Sequence, residues 1–155
     1  MEQSAKKAEP LYLEDLSVGQ RFVSETYQME RQRMKAFAEE FDPQPFHLDE
    51  AAGEASIFGG LTASGWHTAA ATMRLLVNGG MPFGSGIIGF AGEIAWPKPT
   101  RAGDTLRVEG EILEITPSRS KPDRGVVLIR NTTTNQHGEA VQVFTVKVMV
   151  FRRPA

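Results

Sequence analysis

Cysteine is absent from all 155 residues, which removes disulfides, thiolate nucleophiles and zinc–thiolate centres from consideration. Nor is there an excess of charge of one sign. The formal net charge is −2 at pH 7, and a general nucleic-acid binder carries a marked basic surplus, so no nucleic-acid partner is expected. A long apolar run is missing too. Residues 55–92 carry a single formal charge, Arg74, but the apolar part of that stretch, residues 64–77, is too short for a membrane span and is interrupted by Ser, Thr, His and Arg. Residues 1–10 are polar and lack the apolar centre of a signal sequence, so they are expected to be a flexible end, and cytoplasmic residence with no membrane partner is the expectation. Phosphate-cradling glycine loops are also lacking: Gly84-Ser85-Gly86 has no third glycine.

What is present is ordinary in bulk and unusual in one place. An apolar fraction of 41% and a charged fraction of 23% suit a soluble globular chain, and the length suits one domain over residues 11–155 rather than two thin ones. There are no internal repeats. The unusual place holds two anchors, Asp42-Pro43-Gln44-Pro45-Phe46-His47 and Ser64-Gly65-Trp66-His67.

Local patterns order the elements around those anchors. Residues 21–29 read as a first strand, and Met34, Phe37, Ala38 and Phe41 recur at helical spacing over 30–40. Asp42 precedes proline, which disfavours helix continuation, so the helix delivers Asp42 to a fixed corner. Residues 47–52 have the makings of a short helix, Asp49 reads as a cap for a short helix starting near Glu50, and residues 57–60 read as a glycine-containing approach to the main helix. Ser64 is a good N-cap for that helix, which is expected to stop at Asn78-Gly79-Gly80. The remainder reads as strands over 87–96, 105–115, 126–134 and 140–152, the last two flanking a hairpin turn at Asn135-Gln136-His137-Gly138. One long helix with about five antiparallel strands gives an α+β layer packing.

The chemistry follows from the residue types. Two prolines hold the turn stiff, so the Asp42 carboxylate and His47 imidazole are ordered with little entropy lost. Such a pair can hold a water, take a proton from it and return one to a substrate. The free N–H groups at a helix start near Ser64-Gly65 can stabilise an oxyanion. Acid, base and oxyanion donor together suit chemistry beside a carbonyl, including water added or lost at the beta carbon of a thioester.

The same residues carry a resemblance. The chain resembles the MaoC-like, R-specific enoyl-CoA hydratase or dehydratase family of hot-dog proteins, whose Asp-x-Asn-Pro-x-His-x-Asp motif is matched by residues 42–49 and whose Phe-Gly-x-x-x-x-His-Gly is matched by 58–65. Residues 14–20 look like the family's opening strand, and 96–105 like its proline-containing Gly-Asp turn. Gln44 stands where the family has Asn, and Ser64 where it has His. The resemblance implies a curved antiparallel sheet wrapped around a long helix, a homodimer or larger assembly, and an acyl-CoA or acyl-carrier thioester substrate in fatty acid metabolism, with no further cofactor. It implies Asp42 and His47 as the catalytic pair and Gly65, with Ser64, at the thioester carbonyl.

Other residues have plain alternatives. Gln44, Phe58, Trp66 and His67 are candidates to line a pocket, although a histidine one turn into a helix is more often structural. Trp66, Met73, Met81 and Phe83 could line an acyl tunnel or simply form core. Lys98, Arg101, Arg119, Lys121 and Arg124 sit in expected loops where they could meet CoA phosphates. Asp42, His47 and Asp49 lack metal-ligand spacing, so no metal is expected. Two other functions share these features: a thioesterase of the same fold and a non-catalytic acyl-thioester binding protein.

Overall fold

The structure, a computed structural model, describes residues 9–155. The reading of residues 1–10 as a flexible end therefore falls mostly outside the described residues.

Five antiparallel strands form one sheet: β1 (Arg21–Gln28), β2 (Ile88–Ala95), β3 (Thr105–Pro117), β4 (Arg124–Thr134) and β5 (Ala140–Phe151), in the order β1-β3-β4-β5-β2. Alternation explains how β3, β4 and β5 build the core. Leu106, Val108, Ile112, Val127, Ile129, Val148 and Val150 are fully buried, while intervening residues such as Arg107 and Arg130 face outward. The β4–β5 hairpin closes through Asn135, whose amide donates to the Glu139 carbonyl at 3.0 Å. Gly138 takes the φ of +74° that the turn requires.

Helix α4 (Gly65–Leu75) packs on this sheet, against β1, β3 and β5. His67, Thr68, Ala71, Thr72 and Leu75 are its buried residues, a stripe at helical spacing. The two threonines of that stripe are satisfied across the layer, the Thr72 hydroxyl lying 2.7 Å from that of Thr133 and Thr68 donating to Thr100 at 2.9 Å, whereas the buried His67 Nδ1 has no hydrogen-bond partner among the described residues. The helix, the curved five-stranded antiparallel sheet and their packing make the α+β hot-dog arrangement.

Before α4 come α1 (Arg31–Phe41), α2 (Pro45–Leu48) and α3 (Glu50–Ala55). Three local expectations are corrected here. Residues 14–20 are not a strand; Leu13–Asp15 is a 3₁₀ turn, braced by the Asp15 carboxylate accepting from the Tyr12 amide at 2.9 Å, and Gly19 turns the chain at φ +89°. The short helix expected over 47–52 is two helices broken at Asp49, whose extended backbone (φ −129°, ψ 131°) ends α2 while its carboxylate caps α3 at the Ala52 amide. Helix α4 ends at Leu75, and Leu76–Gly80 continues as a π turn that Gly79 closes at φ +135°.

Candidate active site

Asp42 sits at the end of α1, its amide still bonded to the Ala38 carbonyl at 2.8 Å, with a backbone (φ −153°, ψ 67°) that has left the helix ahead of Pro43. Pro45 then starts α2, where a missing N–H costs nothing. Two residues later His47 is 5% exposed and points back at Asp42, its Nε2 lying 3.1 Å from the carboxylate Oδ2. The other ring nitrogen, Nδ1, is 2.7 Å from the Thr62 carbonyl. A carbonyl only accepts, so Nδ1 carries the hydrogen and proton exchange is confined to Nε2.

The carboxylate is equally constrained. The Gln44 side-chain amide donates to Oδ1 at 2.6 Å, and the Ser64 hydroxyl donates to Oδ2 at 2.7 Å. Burial works to raise the Asp42 carboxyl, but the Gln44 amide, the Ser64 hydroxyl and the His47 imidazole outweigh it and hold the group below its ordinary value. Gln44, the longer amide standing where the motif has Asn, thus reaches Asp42 directly.

Ser64 also accepts from the Trp66 amide at 3.3 Å, and its carbonyl accepts from the amides of His67 and Thr68. Three of the first-turn donors of α4 are thereby engaged. The Gly65 N–H is the remaining one, at the positive end of the helix.

These groups meet in one open cavity of about 410 Å³, whose lining includes Asp42, Gln44, His47, Phe58, Gly65 and Trp66. Trp96 and Pro97, which sequence reasoning did not assign to the site, complete a wall together with Lys98, a residue expected to meet CoA phosphates. Its only signal was the stiff Trp96-Pro97-Lys98-Pro99 break after a strand. Glycine at 65 is required by that wall. A Cβ there would stand 2.6 Å from Cε2 of the Trp96 indole.

Other candidates lie elsewhere. His67, a candidate lining residue, is turned from the cavity and stacks on Phe37, with ring centroids 4.7 Å apart and planes within 8°. Burial, with the Arg33 guanidinium adding to it, holds its pKa below the ordinary value. The Ser64 side chain, expected with Gly65 at the carbonyl, is fully buried and points to Asp42 instead. Met81 and Phe83 are core residues. Arg101 donates to the Phe58 and Leu61 carbonyls, so it fastens the loop bearing Phe58 rather than standing free. Arg124 lies in β4, not in a loop, and pairs with Asp123, while Lys98 pairs with Glu139 at the cavity rim. No group of three His, Asp or Glu among the described residues is placed to hold a metal ion, and none of their helices is long and apolar enough to cross a membrane.

Comparison with known proteins agrees with the fold. An uncharacterised protein of Bacillus subtilis (strain 168), YdeM, is 31% identical over 134 residues, spanning 85% of this chain and 92% of that protein. A solved MaoC-like dehydratase from Rhodospirillum rubrum is 61% identical and superposes with a TM-score of 0.93 over 94% of this chain and 99% of that one. The unliganded R-hydratase PhaJ1 of Pseudomonas aeruginosa is 25% identical, with a TM-score of 0.73 over 93% of this chain and 88% of that one. The family model for the MaoC-like domain matches residues 15–136, a span that holds the whole Asp42–His47 turn and the start of α4, and the chain therefore belongs to the MaoC-like domain family.

Proposed function

We propose that the protein adds water to, or removes it from, the 2,3 bond of an enoyl or 3-hydroxyacyl thioester carried on CoA or an acyl-carrier protein. The observation that carries this reading is that the Asp42–His47 pair and Gly65, the first residue of α4, line one cavity. Its similarity to a MaoC-like dehydratase and to an R-hydratase supports it.

In the hydration direction the thioester carbonyl accepts from the Gly65 N–H, which draws charge off the beta carbon. A water held between Asp42 and His47 gives one proton to the carboxylate as its oxygen bonds to the beta carbon. His47, entering the step as the imidazolium with a proton on each ring nitrogen, delivers its Nε2 proton to the alpha carbon and is left as the neutral Nδ1–H imidazole. The proton on Asp42 then returns to Nε2 across the 3.1 Å contact, which restores the pair. Dehydration runs the same steps backwards. The carboxylate fits the base role because its depressed pKa keeps it ionised, and no group beyond the thioester carrier is needed.

Asp42→Asn and His47→Ala are each expected to lower crotonyl-CoA turnover by at least about a hundredfold, the scale of acid–base catalysis. Turnover near wild type in both variants would remove these roles. Release of free CoA from saturated acyl-CoA without hydration would point instead to a thioesterase.

We also place a second copy of the chain on β2. It is the free edge of the sheet opposite β1, and Ile88 and Phe90 are 43% and 56% exposed on it. Light scattering should give about twice the 17.0 kDa of one chain; a monomer would overturn this.

A further inference from the structure

The catalytic cavity ends at its tryptophan wall, and further open space lies beyond that wall. Along the seam between α4 and β2 lie two further cavities of about 170 and 390 Å³, which share Met73, Leu76, Gly92 and Phe144 and are largely apolar. Trp66 belongs to the wall of both the catalytic cavity and the first seam cavity, so the two spaces are neighbours. Beside Trp66 the boundary is the Trp96–Gln142 pair, with Trp96 lining the catalytic cavity and Gln142 the first seam cavity. Trp96 lies against Gly65 so closely that any side chain at 65 would overlap its ring, and Trp66 meets it edge-on with centroids 5.2 Å apart and planes at 83°.

Trp96 is held in that position by an unusual partner. Gln142 is 1% exposed in the interior of β5, and its Oε1 accepts from the indole Nε1–H at 3.0 Å. An indole N–H only donates, so the amide oxygen must face it and the amide nitrogen must point away. That nitrogen has no hydrogen-bond partner, and Gln142 lines the first seam cavity. The bond to Trp96 is thus the one satisfied polar contact of this side chain among the described residues. Displacing the indole would leave a buried amide with none, together with an unpaired indole N–H.

We infer that Trp96, pinned by Gln142, is a partition that closes the catalytic cavity against the α4–β2 seam and so restricts the enzyme to thioesters with short acyl groups. The inference rests on the proposed function, since it takes the carbonyl to lie at Gly65 and the reacting carbons at Asp42 and His47. An acyl tail extending along α4 from that point meets the indole. A tail of crotonyl size stops short of it, whereas a longer one must push the ring off Gly65 and break its bond to Gln142.

The experiment compares kcat/KM for crotonyl-CoA and trans-2-octenoyl-CoA in the wild type, Trp96→Ala and Gln142→Met. Wild type should favour crotonyl-CoA by at least about tenfold, within the range that a few methylenes command in a shaped pocket. Trp96→Ala should bring the ratio to about one or invert it. Gln142→Met nearly keeps the volume and removes the amide, whose oxygen is the acceptor for Trp96 and whose nitrogen has no partner, so it should shift the ratio in the same direction by a smaller factor and covers the case in which Trp96→Ala does not fold. A wild type that prefers octenoyl-CoA, or one ratio shared by every variant that folds, overturns the partition. A wild type that hydrates neither substrate removes the proposed function instead. The partition is then read from calorimetric binding of butyryl-CoA and octanoyl-CoA, where the same loss of preference supports it and an unchanged preference overturns it.

Discussion

Removing the Ser64 hydroxyl is the most informative single perturbation of this site, because one atom both caps α4 and holds Asp42. Ser64 is fully buried, its oxygen accepts from the Trp66 amide at 3.3 Å, and its proton goes to Asp42 Oδ2 at 2.7 Å. Loss of an N-cap oxygen costs about 1 kcal/mol. A hydrogen bond to an ionised group is worth about 1.5–3 kcal/mol, and the low end applies because the Asp42 side chain is 18% exposed and water can replace part of it. Ser64→Ala should therefore destabilise the protein by about 2–3 kcal/mol in denaturant unfolding at pH 7 and fixed protein concentration.

Two further variants separate the parts. Ser64→Gly keeps most of the N-cap preference, so its loss reports mainly the Asp42 bond. In an Asp42→Asn background Ser64→Ala should lose only the cap, leaving a coupling of about 1–2 kcal/mol between the two positions. The same hydroxyl helps to hold the Asp42 pKa down, so without it the carboxyl rises and the acidic limb of kcat/KM moves to higher pH. A coupling below about 0.5 kcal/mol, with an unmoved acidic limb, would refute the claim that Ser64 acts through Asp42.

Much of the fold was legible because its signals are local. The Asn135 turn, the Ser64 cap and the alternation of β3 each depend on neighbours a few residues away, and all three stand in the structure. Asp49 was also read correctly as a cap, yet the break it makes between α2 and α3 was not, since one residue serves the end of one helix and the start of the next. The site was legible as far as the Asp42–His47 turn because two prolines fix it within six residues. It was not legible where partners are far apart in the chain. Nothing near Ser64 shows that its hydroxyl will meet an acid 22 residues earlier. Nothing near His67 reveals that Phe37 will take its ring face, and the indole of Trp96 is placed by Gln142, 46 residues on.

Two further outcomes test how the site is supported. Arg101→Leu leaves the Phe58 and Leu61 carbonyls without their donor, so unfolding should become easier by about 2 kcal/mol. KM should rise more than kcat falls, because Phe58 moves while Asp42 and His47 keep their own bonds. The stacked His67 gives a pH dependence whose sign is fixed by its surroundings. Burial against Phe37, with Arg33 adding its charge, depresses its pKa below the ordinary 6.5, so in the window beneath that value the unfolded chain binds the proton that the folded chain refuses. Stability from this group is then complete above pH 6.5 and is lost as pH falls through that window. His67→Phe keeps an aromatic face for Phe37 and removes the titration, so thermal unfolding between pH 5 and 7 should fall less steeply with acid than in the wild type, the range in which an ordinary histidine changes charge. Equal slopes would mean that the His67 imidazole accepts its proton as easily in the folded protein as in the unfolded chain, and that its place against Phe37 carries no penalty for charge.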